Sequence, residues 1–267
     1  MAGRAEAAGT GVRDHAPVGE GDAVYDGLTA ADVARTCGVP RAVVLRETTS
    51  TLDVAHALAD AGAPEGTLVL ADRQTAGRGR QGRPWHSAAG AGLWLTLVAR
   101  DVDPTALAVL SIRLGLAAAP VLDDFAAAAV RLKWPNDLHV AGAKLAGLLC
   151  EGRWRGGRLE WVALGMGVNV VAPAALPAAG LRPGVRRIDV LARLVPALRG
   201  AAARCGLLDA SELAAYAARD LARGRPCREP LPGVVEGVGT DGALRVRTAQ
   251  GVAHAHSGSL VLDNGPA

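Results

Sequence analysis

The sequence predicts an α/β (α+β) fold, a mixed and largely antiparallel sheet packed with helices, followed by a small C-terminal β-barrel. Three observations carry this. Short apolar runs of strand type follow one another with connections mostly too short for the crossover that parallel neighbours require. The stretch Thr105 to Leu122 is apolar but interrupted by Arg113 and Pro120, so it reads as a buried core helix and not as a membrane span. From Gly224 onward the pattern changes to short strands with turns at Pro232-Gly233, Asp241-Gly242 and Gln250-Gly251.

Taken in order, residues 1–22 are rich in Ala, Gly and charge without periodicity, a composition that predicts disorder. Leu28 to Pro40 reads as one short helix. Its run Thr29-Ala30-Ala31-Asp32-Val33-Ala34 ending at Gly38-Val39-Pro40 looks like half of a helix-turn-helix, but the leader leaves no room for the supporting helix, so no DNA partner is expected. Strand Val43 to Glu47, helix Thr51 to Ala61, strand Thr67 to Ala71, strand Leu93 to Ala99 and a helix from Pro104 come next. Strands follow around Arg131, Leu138, Leu145 and Val162, then helices near Ile188 to Arg204 and Ser211 to Arg223. The expected division is a leader and short helix over 1–40, a catalytic domain over 41–223 and a small domain over 224–267. Little separates Arg225-Pro226-Cys227 from Val234-Val235-Glu236, so the last domain reads as one strand short.

Composition narrows the class. A chain of 267 residues, half of them hydrophobic, can bury one large core and a small one. A net charge of +3 is too modest to argue for a nucleic-acid or membrane surface. Cys37, Cys150, Cys205 and Cys227 lack metal-like spacing and the start of the chain lacks an apolar signal core, which points to a reducing cytoplasm.

The chemistry concentrates in two places. Gly77-Arg78-Gly79-Arg80-Gln81-Gly82-Arg83-Pro84-Trp85 sets three glycines, three arginines and a tryptophan between two strand patterns. A mobile backbone carrying fixed cations suits an anionic ligand. Gly77, Gly79 and Gly82 satisfy G-x-G-x-x-G, and Asp101 falls where a ribose-binding acid would sit, yet Pro84 and Ser87-Ala88-Ala89-Gly90-Ala91-Gly92 deny the helix that a dinucleotide site needs. A solvated Arg/Gly tract that coats RNA is the blander reading, and the two pinned ends argue against it. The second place is marked by lysine. Of 29 Lys plus Arg only Lys133 and Lys144 are lysines. A compact, mobile ammonium and a planar guanidinium are not interchangeable, so these two positions require the former. They flank Pro135-Asn136-Asp137, a turn signal, and Ala141-Gly142, a second one, so that a hairpin presents Asn136, Asp137 and Lys144 together.

The loop Gly77 to Trp85, the stretch Lys133 to Asp137, the run Lys144 to Gly147 and Gly165-Met166-Gly167-Val168-Asn169 closely resemble biotin protein ligase, in the family's order and spacing. The resemblance is strong over roughly Val43 to Val170. It implies a biotin/lipoate ligase-like, class II synthetase-like fold ending in an SH3-like domain; some members carry an N-terminal DNA-binding domain, and the short leader here leads us to expect the monofunctional type without one. The implied activity joins biotin to ATP as biotinyl-5′-AMP and then transfers biotin to one lysine of a biotin carboxyl carrier domain, with magnesium as cofactor. No membrane partner is implied, and room is left for a homodimer. Biotin would meet Ser50, Thr51, Leu52, Gln74, Arg78, Gly79, Arg80, Lys144, Gly147 and Gly165. ATP and the adenylate would meet Gly77, Arg78, Arg80, Trp85, Lys133, Asn136, Lys144 and Asn169. Lys144, Arg78 and Asp137 are the expected catalytic groups. Asp137 is the one candidate metal ligand.

Each has an ordinary explanation beside it. Ser50-Thr51-Leu52-Asp53 is a capping-box pattern, and Leu52 departs from the family's usual asparagine. Trp85 can be core instead of an adenine platform, Lys144 a snorkelling edge lysine and Asp137 an Asx-turn residue. Cys150 could be the acyl-accepting thiol of the related octanoyltransferases or simply a buried thiol. His254 and His256 alternate on one strand face with no third ligand. A lipoate ligase or octanoyltransferase of the same fold and a nucleic-acid-binding regulator remain the rival functions.

Overall fold

The computed structural model describes residues 23–263. The expected disorder before residue 23 therefore lies outside the described residues. The first helix, α1 (Ala30–Cys37), is closed at its start by a capping box between Thr29 and Asp32 and at its end by Gly38 at φ 63°. Strand β1 (Ala42–Thr48) then leads through α2 (Thr51–Asp60) into β2 (Leu68–Gln74), and the two strands pair in parallel. This is the one parallel pair of a seven-stranded sheet completed by β3 (Gly92–Ala99), β4 (Arg131–Lys133), β5 (Asp137–Val140), β6 (Ala143–Arg155) and β7 (Arg158–Asn169), in the order β1-β2-β3-β7-β6-β5-β4. The mixed, largely antiparallel sheet is as expected.

Side chains alternate between the two faces of β2. Leu68 and Leu70 join the main core with α3 (Leu110–Asp123) and α4 (Arg187–Ala202), whereas Val69 and Ala71 pack with Ala55 and Ala59 of α2. Strand β3 sits between β2 and β7 and is buried along its whole length. Arg113, which interrupts the apolar run of α3, is itself 2% exposed: it forks onto Glu212 and onto the carbonyls of Arg204, Gly206 and Leu207, so the buried charge is paired and its donors are used. Among the described residues no helix is long and apolar enough to cross a membrane.

Two boundaries and the closure of the last sheet differ from expectation. The helix expected from Pro104 begins as a 3-10 turn over Pro104–Ala106, capped by Asp103, before α3 starts at Leu110. The last helix, α5 (Ala210–Arg219), stops at Asp220 and not Arg223, because Asp220 turns to extended backbone and its carboxylate takes the Ala222 N–H at 2.8 Å. The C-terminal strands, β8 (Pro226–Glu229), β9 (Gly233–Val238), β10 (Leu244–Thr248), β11 (Gly251–Ala255) and β12 (Val261–Leu262), form an open five-stranded sheet in the order β11-β10-β9-β8-β12, not a closed barrel. Closure needs a ladder between the two edge strands, and β12, two residues long, pairs with β8 alone. Nor is a strand missing, since β12 is the fifth. The sheet docks on the larger unit through Trp134 Nε1, which donates to the Gly242 carbonyl at 3.0 Å.

Candidate active site

All the residues expected to meet biotin or ATP or to act in catalysis, except Gly77, line one cavity of about 400 Å³. Its floor is the sheet itself. Gly147 on β6 and Gly167 on β7 are register partners, with Leu149 and Gly165 paired on the same face. The missing side chains leave a bare patch on which Trp85 lies: a Cβ at Gly167 would come within 2.4 Å of Trp85 Nε1. Trp85 meets Trp94 edge to face at 6.4 Å, and its indole N–H is buried without a hydrogen-bond partner.

The front wall is the glycine loop between β2 and β3. It closes on itself through Gly79 N–H to Arg83 O at 2.7 Å and Trp85 N–H to Gly77 O at 2.8 Å, turning at Gln81 and Gly82 in left-handed backbone. Gly77 does not line the cavity because it is the hinge base, where a Cβ would stand 2.7 Å from the Trp85 carbonyl. Gln74 anchors this base. Its Oε1 accepts from the Thr51 N–H and hydroxyl at 2.9 and 3.2 Å, and its Nε2 donates to Ser87 Oγ at 2.8 Å. Thr96 completes the chain by donating to Thr51 Oγ1 at 2.8 Å.

The N-terminus of α2 supplies the next wall. Ser50 caps it by accepting from the Leu52 N–H, but the capping box that the sequence suggests does not form: Asp53 turns outward to Arg78, 2.7 Å away. The buried hydroxyl of Ser50 and the cavity-lining Leu52 thus stand at a helix N-terminus, where the backbone dipole favours negative charge.

The rear wall is the hairpin of β4, β5 and β6. Asn136 ties it together, its Nδ2 donating to Leu148 O at 2.5 Å. Lys144 Nζ pairs with Asp137 Oδ1 at 2.7 Å and lies 5.0 Å above the Trp85 ring. Asn169, at the end of β7, donates to the Lys144 carbonyl at 3.4 Å. Burial pushes the Lys133 ammonium and the Arg80 guanidinium below their usual pKa values. Among the described residues, Arg78, Arg80, Arg83, Lys133 and Lys144 line the cavity against a single carboxylate, Asp137. Such a cavity is built to receive more than one negative charge.

Other residues fall elsewhere. Cys150 alternates with Leu149 and Glu151 on β6, so its thiol faces away from the cavity toward Ser111 of α3, and burial pushes it up to about 11. No thiolate nucleophile is available there. His254 is exposed on β11, but the strand ends at Ala255, so His256 does not share its face as expected, and among the described residues no cluster of three His, Cys, Asp or Glu side chains could hold a metal. The sequence reading missed Ser87, Glu151, His56 and the C-terminal loop Gly258 to Val261, which closes one side of the cavity. Glu151 carried a faint signal, since it continues the alternation of Gly147 and Leu149.

The biotin/lipoate A/B protein ligase family model matches residues 44–169. A bifunctional ligase/repressor of Bacillus subtilis is 42% identical over 122 residues, 45% of this chain and 38% of that relative, so the match spans well under half of the relative's length. A biotin–acetyl-CoA-carboxylase ligase of Mycobacterium tuberculosis is 36% identical over 230 residues, 80% of this chain and 79% of the relative. Among solved structures, a biotin protein ligase from Aquifex aeolicus in complex with biotin and ATP has a TM-score of 0.66 at 25% identity, covering 84% of this chain and 99% of that one.

Proposed function

The chain belongs to the biotin/lipoate A/B protein ligase family, and from that premise we propose that it works as a biotin protein ligase. It joins biotin to ATP as biotinyl-5′-AMP with release of pyrophosphate, then passes biotin to one lysine of the biotin carboxyl carrier domain of a carboxylase. The observation that carries this reading is the cavity's imbalance of five cations against one carboxylate over a glycine floor.

Adenylation brings two anions together, because a carboxylate oxygen attacks the α-phosphate and pyrophosphate leaves. A cavity with fixed cations lowers that repulsion before reaction begins. Arg80 and Arg83, without ion-pair partners among the described residues, meet phosphate or carboxylate oxygens. Arg78 is oriented from outside the cavity by its own carboxylates. Lys144 exchanges Asp137 for the charge that develops between carboxylate and phosphate, which a flexible ammonium can follow and a rigid fork cannot. Trp85, with one face toward Gly147 and Gly167 and a buried N–H left unpaired, offers the platform for the adenine base. The biotin ring lies against Thr51, Leu52 and Gly165, near the amide of Gln74. In the transfer step the carrier lysine attacks the mixed anhydride's carbonyl, an amide forms and AMP leaves.

Among the described residues Asp137 is the one acid lining the cavity, a donor set that fits a magnesium ion carried in on phosphate oxygens and not one caged by protein. Asp137 would hold that ion, whose chemistry is to neutralise phosphate charge. The four free cysteines suit the cytoplasmic setting proposed for this chemistry.

Isotope exchange between ATP and pyrophosphate with a panel of carboxylic acids tests the reading. Exchange should require biotin and magnesium, and equal activity with lipoate would overturn it.

A further inference from the structure

Arg78 differs from the other cations of the cavity in having two carboxylate partners, both outside it. Nη1 lies 2.7 Å from Asp53 Oδ1, while Nε and Nη2 donate to the two oxygens of Glu151 at 3.3 and 3.2 Å. Both edges of the guanidinium plane are therefore held. Behind Glu151 the contacts continue into the core. His56 Nε2 is 3.1 Å from Glu151 Oε2, and Trp161 Nε1 is 3.0 Å from His56 Nδ1.

Hydrogen-bond valence gives this chain a direction. An indole N–H can only donate, so His56 Nδ1 must accept, the ring proton must sit on Nε2, and Nε2 donates to Glu151. That bond from His56, with those of Arg78, holds the Glu151 carboxyl down at about 2 against the opposing effect of its partial burial, so the acceptor is ionised throughout the neutral range. The geometry has a local origin. Asp53 and His56 stand three residues apart on α2, on one face of the helix, and Trp161 is a 4%-exposed core residue of β7 packed under that helix.

Arg78 needs such support because the bonds of Gly77 and Gly79 to Trp85 and Arg83 hold only the loop's backbone. Its long side chain must still present a planar fork to an anion at one angle. We propose that Trp161, His56, Glu151 and Asp53 form a positioning relay that fixes the plane of the Arg78 guanidinium at the cavity wall. Through it the buried core sets the rate of adenylation although none of the four lines the cavity. The proposal rests on the ligase reading for its kinetic consequence, but its geometry stands apart from that reading.

The test is a double-mutant cycle together with a direct probe of Arg78. In the full-length protein, His56→Leu should lower kcat/KM for biotin-dependent ATP–pyrophosphate exchange by about tenfold, as misaiming a positioned group does. His56→Gln, which keeps a donor toward Glu151, should recover activity to within about threefold of wild type. In an Arg78→Met background His56→Leu should cost nothing more, because its effect passes through the guanidinium. An equal loss in both backgrounds would make His56 a merely structural residue and overturn the relay. So would a gain in activity, which would mean that the carboxylates withhold Arg78 from the substrate. By NMR with 15N-arginine, the Arg78 Nε–H should be protected from exchange in wild type and lose that protection in His56→Leu. An unprotected or unchanged signal refutes the relay even if the wild-type protein shows no biotin-dependent exchange, an outcome that would sink only the ligase reading.

Discussion

Lys144 Nζ and Asp137 Oδ1 lie 2.7 Å apart across neighbouring strands, at the place where the β5–β6 register shifts. The pair keeps the ammonium compact and close to the Trp85 ring, whose centroid is 5.0 Å away. Arginine at this position would carry a longer planar group into a space bounded by Trp85 and the hairpin. Lys144→Arg should therefore fold normally yet lose at least about a hundredfold in adenylation, since a positioned cation in a dry site is worth about 3 kcal/mol. Single-turnover formation of biotinyl-AMP measures this, and a variant within threefold of wild type removes Lys144 from the mechanism.

The glycine floor makes a second, steric prediction. A methyl at Gly167 would meet Trp85 Nε1 at 2.4 Å and Cε2 at 2.5 Å, so the indole must leave its place. If Trp85 is the adenine platform, Gly167→Ala should raise KM for ATP by about tenfold, the scale of one lost base–aromatic stack. Gly200→Ala is the control: nothing lies within 4 Å of that added carbon, and in the last turn of α4 alanine should stabilise by up to about 0.5–1 kcal/mol. Unchanged ATP kinetics in Gly167→Ala would show that the base binds elsewhere.

What the sequence disclosed and what it withheld divide along chain distance. Lys133, Asn136, Asp137 and Lys144 were legible because Pro135-Asn136-Asp137 and Ala141-Gly142 are local turn signals that bring neighbours together. The loop from Gly77 to Trp85 was legible for the same reason. Glu151, His56 and Trp161 were not, since their contacts join positions 95 and 105 apart and nothing in a local pattern pairs them. The wall from Gly258 to Val261 was hidden likewise, because it depends on how the C-terminal sheet docks. The capping-box motif at Ser50 misled for a related reason: Arg78, 25 positions on, outcompetes the helix N-terminus for Asp53.

Glu151 makes the acid stability of this region predictable. Its folded-state carboxyl sits at about 2 against an ordinary 4.5, a depressed value, so it contributes stability above about pH 4.5 that is lost as pH falls toward 2. Glu151→Gln should thus be less stable than wild type at neutral pH, and the gap should narrow over that acid window. Urea unfolding at a series of pH values measures it; a gap that stays constant down to pH 2 would mean that the carboxylate's charge is not what holds Arg78.

Arg80 joins the loop to the lysine count. Its guanidinium is part-buried, makes no ion pair among the described residues, and is pushed down in pKa by that burial, which is the state of a cation awaiting an anion. Removing it in Arg80→Gly takes away a charge-assisted bond and loosens a loop already rich in glycine, so biotinyl-AMP should escape more readily. A free acyl adenylate acylates any accessible amine. Only two of the chain's 29 basic side chains are lysines, and both Lys133 and Lys144 are half-buried in the cavity wall, so apart from its N-terminal amine the protein offers escaped adenylate no lysine outside the site. The variant should therefore label an added lysine-rich protein far more than itself. Peptide mass spectrometry after incubation with biotin, ATP and the bystander reads both. An unlabelled bystander would show that Arg80 does not retain the intermediate, and heavy modification of Lys133 would show that its ammonium is open to solvent and not held in the cavity wall.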